Sequence, residues 1–173
     1  MSGRPAPVRL TDDMAAAIGH AVSGFGFLEE ALKRAIFSLT RKELGDDSDG
    51  KAWQRWLRRM EDIADDTLGT LIDSFVAAVK DAGIRDHPLL ARELGAIRLK
   101  RNLLCHASWR PGTRPGHWHP TFVNTKGERY PDEMDPAAVL AIHADTLRAA
   151  RDVLSIMRGT GIDGKWAGDG GQD

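Results

Sequence analysis

The sequence predicts an all-α fold: an antiparallel bundle of four to five helices with a small β-hairpin inserted before the last one. Three observations carry this. Apolar residues recur at steps of three and four over long stretches, the mark of helices with one buried stripe. Cap-type residues and glycines divide those stretches into lengths suited to a bundle. A single segment, Trp109 to Tyr130, breaks the rhythm with Pro111, Gly112, Pro115 and Gly116 and then continues in strand-forming residues.

Taken in order, residues 1–10 read as a flexible arm. Thr11 is placed to cap a helix, with Asp12 and Asp13 suited to the positive end of its dipole. That helix carries Met14, Ile18, Val22, Phe25, Leu28, Leu32, Ile36 and Leu39 on one stripe, and Gly24 and Gly26 predict close approach by another element. Gly45 is a stop, and 46–50 a loop. A second helical stretch runs from about Lys51 to Asp81 on Trp53, Trp56, Leu57, Met60, Ile63, Leu68, Leu71, Ile72, Phe75 and Val79. Asp65-Asp66-Thr67 can recap it into two helices, and Gly83 ends it. Pro88 suits a first helical position and opens a helix to about His106 on Leu90, Leu94, Ile97 and Leu104. In the insert, about 109–131, Trp118, Pro120, Phe122 and Val123 suggest one strand, Thr125-Lys126-Gly127 a turn, and Glu128-Arg129-Tyr130 the returning strand. Asp135-Pro136 supplies cap and first residue of the last helix, whose stripe is Val139, Leu140, His143, Leu147, Ala150, Val153, Leu154 and Met157. Gly159 ends it. The Gly- and Asp-rich tail, 159–173, reads as disordered, which leaves 11–158 as one helical domain.

Composition narrows the function. A chain of 173 residues can bury a core without metal or disulfide. Its net charge of −1 supplies no global field for nucleic acid, so any such contact needs a local patch. Arg92, Arg98, Lys100, Arg101, Arg110 and Arg114 form one along the chain, apart from the acidic run of Asp46, Asp47, Asp49, Asp62, Asp65 and Asp66. Cys105 is the only cysteine, which fits a reducing cytoplasm. No apolar run suits a signal peptide or a membrane span, so the expected location is cytoplasmic, without a membrane partner.

The densest chemistry lies in Arg101-Asn102-Leu103-Leu104-Cys105-His106, at a helix end, followed by Ala107-Ser108-Trp109. Asn102 and His106 are four apart and share a helix face. Arg101 is turned about 100° from Asn102. His106 falls in the last turn, where unpaired carbonyls attract a cation. Imidazole exchanges protons near neutral pH, and a guanidinium offers phosphate a planar fork of donors. These parts suit RNA cleavage by attack of the 2′-hydroxyl, with no cofactor and no metal. One histidine cannot easily serve both sides of an in-line displacement, so a nuclease built on them calls for a symmetric dimer.

The segment resembles the R-x4-6-H motif of the HEPN superfamily (higher eukaryotes and prokaryotes nucleotide-binding), in the form with Arg-Asn first and His five residues after the Arg. Ala107 and Trp109 continue it as many members do, and Phe27-Leu28-Glu29-Glu30-Ala31-Leu32 looks like a first helix of that fold. The resemblance implies a metal-independent endoribonuclease, often a toxin or phage-defence protein, active as a homodimer and held in check by an antitoxin or regulatory partner. By it, Arg101 and His106 are catalytic and Asn102 supports them. Arg98, Arg110, Arg114, His117 and Trp118 are candidates for binding RNA, with Trp118 stacking a base and His119 on the same path. The competing reading is a non-catalytic HEPN-like module that binds nucleotide or protein. A zinc site on His117 and His119 with His106 or Cys105 is a third; Cys105 itself, a lone cysteine on a packed helix, reads as structural rather than as a thiol nucleophile. Trp53 and Trp56 beside Arg55, Arg58 and Arg59 read as core or interface, Glu29 and Glu30 as solvated or as positioning Arg101, and His143 as semi-buried.

Overall fold

The three-and-four spacing is realised as helices that share one core. The computed structural model describes residues 8–43, 50–84, 88–121 and 130–161. Among these residues lie α1 (Asp12–Glu43), α2 (Gly50–Ala64), α3 (Leu68–Asp81), α4 (Pro88–His106) and α5 (Pro136–Arg158). Strands β1 (Ser108–Pro111) and β2 (Trp118–Thr121) form an antiparallel hairpin between α4 and α5. The expected arm before Val8, the stop at Gly45 and the tail beyond Gly161 lie outside the described residues.

Helix α1 is the central element. It packs most extensively on α5, then on α3, and more lightly on α4 and α2. Met14, Ala17, Ala21, Phe25, Leu28, Leu32, Ile36 and Leu39 are buried along it. Each large side chain among them stabilises the fold by about 1.5–3 kcal/mol through burial. Val22 departs from the expected stripe and is 44 % exposed. Ala21 takes the inward position instead. Helix α5 comes close at Gly24, where an added Cβ would stand 2.7 Å from His143 Nδ1. Gly26 has open space around it, so only one of the two glycines is required by packing.

The second helical stretch is indeed two helices. Thr67 is the N-cap of α3, its hydroxyl accepting from the Thr70 N–H at 3.5 Å. Gly83, at φ +65°, turns the chain away after α3. On α2 only Trp56 and Ile63 are buried. Trp56 stacks on Trp53, packs edge-on against Phe37, and donates its indole N–H to Thr40 Oγ1 at 2.9 Å. The tryptophans are thus core and core margin. Helix α5 opens as expected: Asp135 accepts from the Ala138 N–H at 2.8 Å, with Pro136 first in the helix. Its Leu140 is exposed rather than inward, and Ile142, Thr146 and Ala149 join the core.

The hairpin starts earlier than the strand-forming residues suggest. Ser108–Pro111 pairs with Trp118–Thr121, Trp109 opposite Pro120 and Arg110 opposite His119. The turn is 112–117, built from the residues that break the helical rhythm. The Gly112 N–H donates to the His117 carbonyl at 2.8 Å. Glu133 caps the tip, its carboxylate accepting from the Thr113 N–H at 2.6 Å and the Arg114 N–H at 3.4 Å. The expected turn at Thr125–Gly127, with Phe122, Val123, Glu128 and Arg129, lies outside the described residues. Tyr130 is not in a strand; its hydroxyl accepts from Lys100 Nζ at 2.9 Å. After that, Trp118 and Met134 exchange backbone hydrogen bonds at 2.7 and 2.8 Å and lead the chain into α5.

Candidate functional site

The site is set by where α4 stops. Leu94, Ile97, Leu103 and Leu104 fix the helix against the core. The Ala107 N–H still donates to the Leu103 carbonyl at 2.9 Å, and one residue later β1 begins. His106 therefore occupies the last helical position, at the junction of bundle and hairpin. Its ring is exposed and has no hydrogen-bonding partner among the described residues. Asn102, one turn earlier, and Arg101 are half-buried. The Arg101 guanidinium reaches Asn102 Oδ1 at 3.4 Å, a long hydrogen bond that leaves most of its donors for another acceptor. At 100° per residue, Arg101 and His106 stand about 140° apart around the helix. One chain therefore presents its guanidinium and its imidazole on different sides, with Asn102 between them. Cys105 is exposed and free, rather than packed in the core as a structural cysteine would be.

The other expected contacts are placed unevenly. Arg98 crosses to α3, where it lies 3.8 Å from Asp73 and so close to Gly69 that a Cβ there would come within 3.0 Å of its Nε. Arg114 is at the hairpin tip, 3.7 Å from Glu133. His117 is half-buried, with Nδ1 3.1 Å from the Pro115 carbonyl. Trp118, expected to stack on a base, is only 6 % exposed and belongs to the core. The indole is the wedge that fastens β2 to the bundle, and strand alternation turns it inward. Arg110 stays exposed on the outer face, opposite His119. The basic stretch is therefore not one patch: Arg98 and Arg114 take carboxylates and Lys100 takes Tyr130, while Arg110 keeps its donors free of ion pairs among the described residues. Glu30 pairs with Arg34 along α1 at 2.7 Å, so it does not position Arg101.

Among the described residues, no three His, Cys, Asp or Glu side chains gather as a metal site would require. An open groove of about 140 Å³ lies between α4 and α5, with Ile97 and Ile142 at its floor and Glu93, Lys100, Asp145 and Arg148 around it. His143, on the other side of α5, is half-buried, with Nδ1 shielded from solvent and unpartnered among the described residues. Periodicity marked His143 as inward but could not reveal that its ring abuts a backbone at Gly24.

Fold and site together define a five-helix bundle with a hairpin, carrying an Arg-Asn helix terminus that ends in an exposed histidine. Comparison with family models, curated proteins and solved structures found no significant match. Among the described residues, no helix is long and apolar enough to cross a membrane.

Proposed function

We propose that the protein is a metal-independent endoribonuclease of HEPN type, acting as a homodimer in the cytoplasm, in the manner of a toxin or phage-defence protein with a regulatory partner. One observation carries the reading: His106 is solvent-exposed and unpartnered among the described residues, one turn beyond Asn102 and Arg101 at the end of α4. In the reaction, a base takes the proton of the 2′-hydroxyl and the freed oxygen attacks the adjacent phosphorus. The P–O5′ bond breaks, and the departing oxygen receives a proton. Arg101 binds the phosphate and its growing negative charge, His106 moves protons, and Asn102 steadies the guanidinium. The angular separation of Arg101 and His106 favours a second copy, which would bring one chain's imidazole to the other's guanidinium.

The test is cleavage of single-stranded RNA in EDTA, with end-group analysis. Wild-type protein is expected to leave 2′,3′-cyclic phosphate ends. His106→Ala should lower the rate by at least about a hundredfold while moving the melting temperature little, because the ring is exposed and holds no hydrogen bond among the described residues. Light scattering should give the mass of a dimer. Cleavage by His106→Ala at the wild-type rate would sink the proposal. The alternative, a non-catalytic module binding nucleotide or protein, draws support from the Arg101–Asn102 contact and predicts binding without cutting.

A further inference from the structure

The hairpin has two unlike faces. Alternation puts Trp109, Pro111, Trp118 and Pro120 on one side and Ser108, Arg110, His119 and Thr121 on the other. The first side is the core side, since Trp118 and Pro120 are buried and Trp109 packs against the cluster. The second faces outward: Ser108, Arg110 and Thr121 are exposed and His119 is half-exposed. Arg110 and His119 are direct cross-strand partners, with Cβ atoms typically about 5 Å apart. Neither β1 nor β2 contains a carboxylate to neutralise the guanidinium of Arg110. Neither side chain has an ion pair or hydrogen-bond partner among the described residues. Two other arginines of the same region do meet carboxylates: Arg98 has Asp73 and Arg114 has Glu133. The guanidinium of Arg110, with an N–H of His119 opposite and the hydroxyls of Ser108 and Thr121 beside it, offers an anion several convergent donors with no carboxylate competing among the described residues.

We infer that this outward face is a phosphodiester subsite, in which Arg110 and His119 grip one backbone phosphate of single-stranded nucleic acid and the hydroxyls take its neighbouring oxygens. The assignment to nucleic acid rests on the nuclease reading above; the anion clamp rests on strand register alone. Arg110 lies four positions after His106, at most about 14 Å of extended chain. A strand crossing the end of α4 would therefore be held at a second phosphate, and the subsite would fix its direction and register without touching the scissile bond.

The experiment is salt-dependent binding of a short single-stranded oligodeoxynucleotide, which lacks the 2′-hydroxyl and cannot be cut. Arg110→Gln and His119→Asn, each with an unchanged melting temperature, should weaken binding about three- to tenfold, and Arg110→Gln should lower the slope of log K against log salt by about one. His106→Ala serves as the reference, expected to slow RNA cleavage by at least about a hundredfold. If Arg110→Gln and His119→Asn bind like wild type, the subsite is wrong, whatever becomes of cleavage. If they lose binding while wild type proves unable to cut RNA, the subsite stands and the nuclease reading falls. Displacement of the oligonucleotide by inorganic phosphate at equal phosphate concentration would show a free-anion site and overturn the backbone assignment.

Discussion

Gly24 and Gly26 are two residues apart on one helix yet make opposite predictions. A methyl at Gly24 would meet His143 Nδ1 at 2.7 Å, whereas at Gly26 it would meet nothing within 4 Å. Gly24→Ala should destabilise the protein by about 1–3 kcal/mol through overpacking. Gly26→Ala should stabilise it by about 0.5–1 kcal/mol, by removing backbone freedom from a helix interior. Urea unfolding of both variants checks the signs. In a double variant, His143→Ala should recover much of the Gly24→Ala loss, because the two sites share one contact. Helical periodicity marks both glycines alike; only the packed neighbour tells them apart.

At the scale of an element, the hairpin is held at its tip by one carboxylate. Glu133 is kept below the usual glutamate range chiefly by the Thr113 backbone N–H, with smaller help from the Thr113 side chain, the Arg114 N–H and the Arg114 charge, against an opposing effect of desolvation. A carboxylate held low stabilises the fold above its ordinary value, and that contribution disappears as pH falls through its lowered folded value. Glu133→Gln should therefore melt earlier than wild type at neutral pH, with the gap narrowing as the solution is acidified below the ordinary glutamate range. Differential scanning calorimetry across pH gives the curve. Gly112→Ala is expected to disturb the same tip more strongly, since its methyl would stand 2.7 Å from the Glu133 carboxyl carbon and 2.9 Å from the His117 carbonyl. The helix-breaking residues 111–116 announce a turn in the sequence. Their partner Glu133, some twenty residues on, leaves no local signal.

Across the whole molecule, the end of α4 is the junction between a bundle core and a hairpin that closes over it. Trp118 joins them: it lies in the common core and its backbone pairs with Met134. Trp118→Ala should cost about 3–5 kcal/mol and, if hairpin and helix terminus work as one surface, reduce nucleic-acid binding as well. Trp53→Ala, at the core margin under Arg41, should cost clearly less. Equilibrium unfolding and oligonucleotide titration together separate the two effects.

The helices, their caps at Thr67 and Asp135 and the motif at Arg101–His106 were legible in the chain, because helical periodicity, capping and motif spacing are local and recur within a few residues. Which tryptophan is core, which glycine is indispensable and which arginine remains uncommitted were not. Those depend on what another element places opposite a side chain. Trp118 could be read as a stacking platform until strand alternation and the bundle beneath it turned the ring inward, and Arg110, one candidate among several in the chain, was set apart from Arg98 and Arg114 only by the carboxylates that those two meet.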